Sequence, residues 1–250
     1  MESYVNRIDT SSGITTIEFF HPSHNSLPSE VLSRLASTIT QCGTDDEVSV
    51  IILQSGGNRT FCAGASFDEL VKIDDFEEGH RFFMGFAHVI NACRRCPKLI
   101  IGRVQGKAVG GGVGLASAVD YCLATQYAAV KLSELNVGIG PFVVGPAVER
   151  KIGLSAMSEM AINANEFYSA QWAKDKGLFT RVYEEIDELD AAVQSLANYL
   201  VQTNPEARSQ LKRVFWESCD HWDDLLKERA AISGRLVLSD FTKKALARYQ

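Results

Sequence analysis

Three short segments of this 250-residue chain carry the residue types that carbonyl chemistry needs. The densest is Lys107-Ala108-Val109-Gly110-Gly111-Gly112-Val113-Gly114-Leu115-Ala116, where a strand-like approach ends in glycines and a helix begins. Bare backbone N–H groups at a helix N-terminus attract a negatively charged oxygen. The spacing is neither a G-x-G-x-x-G dinucleotide fingerprint nor a Walker loop, and the plainer alternative is glycine used only for close helix-to-sheet packing. The second segment, Thr60-Phe61-Cys62-Ala63-Gly64-Ala65-Ser66-Phe67-Asp68-Glu69-Leu70, is another loop after a buried strand that opens a short helix. Two such loops can converge two backbone donors on one carbonyl oxygen. That is an oxyanion hole, in which losing one donor typically costs ~10²–10³ in rate, and a thioester carbonyl becoming an enolate suits it. The third segment, Ser133-Glu134-Leu135-Asn136-Val137-Gly138-Ile139-Gly140-Pro141, offers a carboxylate on a short loop. Most glutamates are solvated surface residues, but beside two candidate oxyanion donors Glu134 is the leading proton carrier.

These segments need a frame. Val5 to Ile8 and Ile14 to Phe20 flank the turn composition Asp9-Thr10-Ser11-Ser12-Gly13 and predict a hairpin. Leu27, Val31, Leu35 and Ile39 recur every four residues, with Ser26 and Pro28 at the start and Gly43 after the end, which predicts a helix. Val48 to Leu53 reads as a buried strand, Phe76 to Arg95 as a helix stopped by Pro97, and Leu99 to Val104 as a further strand. Short strands follow near Tyr121 to Ala124 and Ala129 to Leu132. Beyond Val144 helical patterns dominate, broken by a strand-like run at Phe179 to Tyr183, and the last stretch has no glycine except Gly234. The pattern predicts an α/β core, residues 1–190, with a C-terminal helical region, residues 191–250.

Composition excludes several classes. Hydrophobic residues at 46% and charged residues at 22% are values of a globular chain, not a disordered one. The longest stretch free of Asp, Glu, Lys and Arg, Ala191 to Pro205, is shorter than the ~20 apolar residues of a membrane span. Residues 1–7 show no secretory pattern, so the expected location is cytoplasmic, with no membrane partner. A net charge of −6 argues against nucleic acid as partner, because that binding rests on neutralising phosphates. The six cysteines are scattered, and Cys93-Arg94-Arg95-Cys96 lacks a second ligand pair. Asp74, Asp75, Glu77 and Glu78 read as a solvated helix start, and His21, His24, His80, His88 and His221 show no metal spacing, so no metal is expected. Ser66 and Ser133 lack a G-x-S-x-G context, which argues against a serine hydrolase.

Taken together, Phe61-Cys62-Ala63-Gly64-Ala65-Ser66-Phe67, Gly110-Gly111-Gly112 and Leu132-Ser133-Glu134 resemble the crotonase, or enoyl-CoA hydratase/isomerase, superfamily over nearly the whole chain. The resemblance implies a spiral of strand-strand-helix repeats and a homotrimer, or a hexamer of two trimers. It implies an acyl-CoA thioester as substrate, with coenzyme A part of that substrate and no separate cofactor. It places the oxyanion donors at Ala65 and Gly111 N–H and the catalytic carboxyl at Glu134. It assigns substrate contacts to Ala63, Gly64, Ser66, Phe67, Gly110, Gly114 and Phe142, and nucleotide contacts to Phe241 and Lys244. Hydratases of the family commonly use two glutamates, and Gly114 occupies the first of those positions. The expected reaction is addition of water to a short or branched enoyl-CoA. Gly110 to Leu115, then Leu132-Ser133-Glu134, then Pro141 to Pro146 look like bacterial methylglutaconyl-CoA hydratases of leucine breakdown, and Phe142, Val143 and Val144 add bulk near the acyl group. A single-glutamate double-bond isomerase and a catalytically weak acyl-CoA-binding protein are the alternatives.

Overall fold

The computed structural model describes residues 2–249. Its strands are β1 (Tyr4–Asp9), β2 (Ile14–Phe20), β3 (Ser26–Leu27), β4 (Val50–Ser55), β5 (Thr60–Cys62), β6 (Gly64–Ala65), β7 (Leu99–Val104), β8 (Lys107–Val109), β9 (Tyr121–Thr125), β10 (Ala129–Lys131), β11 (Tyr168–Ser169) and β12 (Arg181–Tyr183). Its helices are α1 (Ser29–Thr44), α2 (Phe67–Leu70), α3 (Phe76–Arg95), α4 (Gly111–Ala118), α5 (Gly145–Ile162), α6 (Ala170–Asp175), α7 (Ile186–Val201), α8 (Pro205–Trp216), α9 (Trp222–Leu236) and α10 (Asp240–Leu246). The expected hairpin forms as β1 and β2, with Tyr4 opposite Phe20 and Asp9 opposite Thr15.

The main sheet runs β1-β2-β4-β7-β9-β12, and every pair from β2 onward is parallel. A parallel sheet is covered on both faces, and the period of two along each strand sorts its side chains accordingly. Ile51, Leu53 and Ile100 enter the large core, whereas Val50, Ile52 and Ile101 pack with Leu189, Val193 and Ala197 of α7 on the other face. The division expected at 190/191 therefore falls inside α7, a helix that completes the core sheet. A second sheet, β5-β8-β10-β11, and the two-stranded pair β3-β6 carry the connecting segments. Pro28 lies at the N-cap of α1, and Ser26 and Leu27 are drawn instead into β3, where they pair with Gly64 and Ala65.

Asp75 starts α3 by accepting the Glu78 N–H at 2.8 Å, and Pro97 follows its end, where a missing N–H and steric restriction stop a helix. The helices after α7 are joined to the core at three places. In α8, Lys212 and Trp216 reach Asp120. In α9, the backbone crosses α3 at Gly79 and Gly234, where a Cβ added to Gly79 would lie 3.0 Å from Gly234 O. The third is α10, which packs on a 3-10 helix at Glu134–Val137. All six cysteines are buried free thiols. Among the described residues no helix is long and apolar enough to cross a membrane.

Candidate active site

Three loops meet in one recess of about 600 Å³, a figure that includes its open mouth, and the sequence segments singled out above provide most of its floor. Ala63, Gly64 and Ala65 come from the β5–α2 segment, Gly110 and Gly111 from the start of α4, and Ser133 and Glu134 from the loop after β10. Pairing fixes the direction of the first donor. Ser66 N–H points to Leu27 O at 3.4 Å, and neighbouring N–H groups on an extended chain point to opposite sides, so Ala65 N–H faces away from β3. The second donor is fixed by the helix, because Gly111 is the first residue of α4 and its N–H has no carbonyl one turn earlier to bond.

The glycines here are spatial requirements. Gly110 has φ of 51° in the left-handed region, and a Cβ on it would lie 2.8 Å from Glu134 Oε1. The Glu134 carboxyl thus sits directly against the turn that presents Gly111 N–H. Gly64, with φ of 91°, is packed as tightly, since a Cβ there would lie 2.8 Å from Val109 O and 3.5 Å from Gly111 N. A side chain on Gly111 would strike the Phe86 ring at 2.2 Å. The two donors and the carboxyl therefore surround one small volume, with Phe86 behind it.

Glu134 as a residue is half-buried, yet its Oε2 is enclosed and has no hydrogen-bond partner among the described residues. Burial pushes its carboxyl up to about 7, against a smaller opposing pull from its own backbone N–H. An uncompensated charge in an apolar setting is costly, so the proton is retained until near neutrality. The surrounding wall is apolar: Val137, Ile139, Phe142, Val143, Phe83 and Leu70 contribute to it. Among the described residues Ser133 and Ser233 are the only other polar residues of the lining, and no lysine, arginine or histidine belongs to it. A carboxyl near neutrality beside two aimed N–H dipoles can take a proton from carbon while the N–H groups hold the resulting enolate oxygen.

Ala63, Gly64, Ala65, Phe67, Gly110, Gly111, Glu134 and Phe142, expected at the site, all line the recess. Four others do not. Ser66 is buried at the start of α2, outside the lining. Gly114 is buried behind Val144, whose Cγ1 lies 2.5 Å from where a Cβ at 114 would be, so no second carboxylate position is open. Phe241 is 65% exposed with its ring edge on Gly138, and Lys244 is exposed. Lys243, one residue earlier, lines a separate cleft that shares Leu70 with the recess and also includes Lys72. The recess also takes Phe83, Phe86 and Ser233, which the sequence did not single out. The exposed carboxylates of Asp74, Asp75 and Glu78 lie together, with Asp75 used as the cap of α3.

Comparison with known proteins shows which family carries this fold. The family described as enoyl-CoA hydratase/isomerase matches residues 9–246. A peroxisomal Delta(3,5)-Delta(2,4)-dienoyl-CoA isomerase of Arabidopsis thaliana is 28% identical over 238 residues, covering 87% of this chain and 84% of that protein. A mitochondrial methylglutaconyl-CoA hydratase of Mus musculus is 34% identical over 169 residues, covering 67% of this chain and 53% of that protein. The crystal structure of an enoyl-CoA hydratase from Bacillus halodurans superposes with a TM-score of 0.90 at 20% identity, over 98% of this chain and all of that one, and so shares its fold. With the match running through all three loops of the recess, the chain belongs to the enoyl-CoA hydratase/isomerase family.

Proposed function

We propose that this protein moves protons on the acyl group of an enoyl-CoA thioester whose acyl chain is uncharged, with Glu134 as its single acid–base group and Ala65 and Gly111 N–H as the enolate-binding pair. The observation that carries the reading is the enclosed Oε2 of Glu134, unpartnered among the described residues, in a wall to which none of them brings a cation and with no room for a carboxylate at position 114. Double-bond migration is the reaction this geometry supports best. Glu134 takes the proton from Cα, the C–H electron pair passes into the enolate, the double bond shifts into conjugation with the thioester, and the same carboxyl returns the proton to Cγ. Atoms balance with no water consumed. The substrate brings its own coenzyme A, and the step as written uses no separate cofactor or metal.

Hydration is the second reading, favoured by the 34% identity to a methylglutaconyl-CoA hydratase and by Ser133, whose side chain lines the recess next to Glu134. Water oxygen would add to Cβ and a proton to Cα, with Ser133 helping to hold the water. The absence of a cation in the lining weighs against methylglutaconyl-CoA itself, because its distal carboxylate would be buried unpaired. Incubation of the protein with 2-enoyl and 3-enoyl esters in ¹⁸O-labelled water decides between the two. A rearranged ester without label selects isomerisation, and label in the product selects hydration. Binding without turnover of any ester selects an acyl-CoA-binding protein. A homotrimer, or a hexamer of two trimers, in the cytoplasm completes the proposal; a monomer mass by light scattering would count against the assembly.

A further inference from the structure

Ser233 stands out in the recess. It comes from α9, far in sequence from the three loops, is 1% exposed, and belongs to a lining that is otherwise apolar apart from Ser133 and Glu134. The hydrogen bond it donates, to Arg229 O, spans 3.4 Å, longer than the 2.5–3.0 Å usual for a hydroxyl donor. A hydroxyl kept in an apolar chamber on so weak a bond costs free energy unless a ligand takes it up. The backbone contact between α3 and α9 holds it there: a Cβ on Gly234 would lie 2.7 Å from His80 N.

Helix α3 also measures how deep Ser233 lies. Phe86 packs on Gly111 at the oxyanion end, Phe83 lines the wall between, and Gly79 meets Gly234 at the other end. Seven residues at 1.5 Å rise put the two ends about 10 Å apart. An extended chain advances ~3.6 Å over three bonds, so that distance corresponds to about eight bonds.

Resting on the acyl-CoA reading above, we propose that Ser233 reads a neutral oxygen on the far part of the acyl group, making the preferred substrate one with a hydroxyl or carbonyl oxygen about seven or eight bonds from the thioester carbon. A hydroxyl both donates and accepts, so it suits either oxygen, and the cation-free wall disfavours a carboxylate there.

Titration calorimetry with octanoyl-CoA, 7-hydroxyoctanoyl-CoA and 4-hydroxyoctanoyl-CoA tests this, because saturated esters bind without turnover. The parent protein is expected to prefer the 7-hydroxy over the unsubstituted ester, and Ser233→Ala to reduce that ratio about two- to tenfold, the worth of one neutral hydrogen bond. An equal ratio in both proteins, or a parent that favours the 4-hydroxy ester, overturns the assignment of Ser233 while leaving the acyl-CoA reading intact. If no ester binds and none of the enoyl esters is turned over, the acyl-CoA reading fails and this proposal with it. Ala at this site removes only a back-bond to the preceding turn, so the helix is expected to persist.

Discussion

Asp120 and Glu134 both carry a carboxyl inside the fold, and the chain treats them in opposite ways. The Asp120 side chain, 5% exposed, accepts from Ile100 N at 2.8 Å, Lys212 Nζ at 2.6 Å and Trp216 Nε1 at 3.0 Å. Its charge is matched by a buried ammonium, and its donors come from a strand and a late helix. Glu134 has an enclosed oxygen with nothing to accept from, and a wall of aromatic and aliphatic side chains. The first carboxylate is saturated and holds the fold together. The second is left short of donors, which keeps its proton within reach of physiological pH and leaves its lone pairs to a ligand. Burial alone does not set a carboxyl apart for proton transfer; the proposal for Glu134 rests on burial without partners.

The contrast is broken most directly by substitution at its two ends. Glu134→Gln, which keeps the shape and removes the base, should lower kcat by about 10²–10⁴ in a steady-state assay with a 3-enoyl ester, while the folded circular dichroism spectrum is retained. Asp120→Ala should do the reverse. It strands Lys212 without its counter-ion and is expected to cost about 3–5 kcal/mol in urea unfolding, with kcat per folded molecule near the parent value. A Glu134→Gln protein with parental activity would remove the distinction.

The pH dependence sharpens it. Because the folded-state value of Glu134 is raised from 4.5 to about 7, the native state binds more protons than the unfolded one across that interval. Stability contributed by the neutral carboxyl is therefore full below about pH 4.5 and is lost as pH rises through 7, by about 3 kcal/mol at 1.36 kcal/mol per unit. The parent minus Glu134→Gln difference in unfolding free energy should follow that curve, and kcat/KM of the parent should rise on the acid side with a midpoint near 7. A flat difference would show that the carboxyl is better solvated than its surroundings imply. A smaller effect concerns Gly114, where Ala should overpack against Val144 and cost about 1–3 kcal/mol. In a double-mutant cycle Val144→Ala should recover part of that loss, since the two positions touch.

Much of the frame was legible because the physical signals were long. The hairpin, α3 and β7 follow from runs of six or more residues and from Pro97, and the three loops of the recess follow from glycines and a carboxylate after strands. What escaped is short or distant. β3, β6 and β11 have two residues each, too few for any period, yet β3 is what turns Ala65 N–H toward the recess. Ser233 has the spacing of any helical serine; the one hint was Gly234, the lone glycine of the tail, which marks a close helix crossing. The expected nucleotide contacts at Phe241 and Lys244 rest on similarity alone, and no spacing or period in the tail points to them.

Gly138 links the beginning and the end of the site's construction. Its φ of 78° closes the 3-10 helix that bears Glu134, and its Cα lies so close to α10 that a Cβ would meet Phe241 at 2.5 Å and Thr242 Oγ1 at 2.6 Å. Glu134 is thus braced by residues made about a hundred positions later. During synthesis the sheets and the oxyanion loops emerge well before α10 leaves the ribosome, so a nascent chain can display the hole while its base lacks its final support. A chain cut before Phe241 should retain its sheets while presenting a loosely held Glu134.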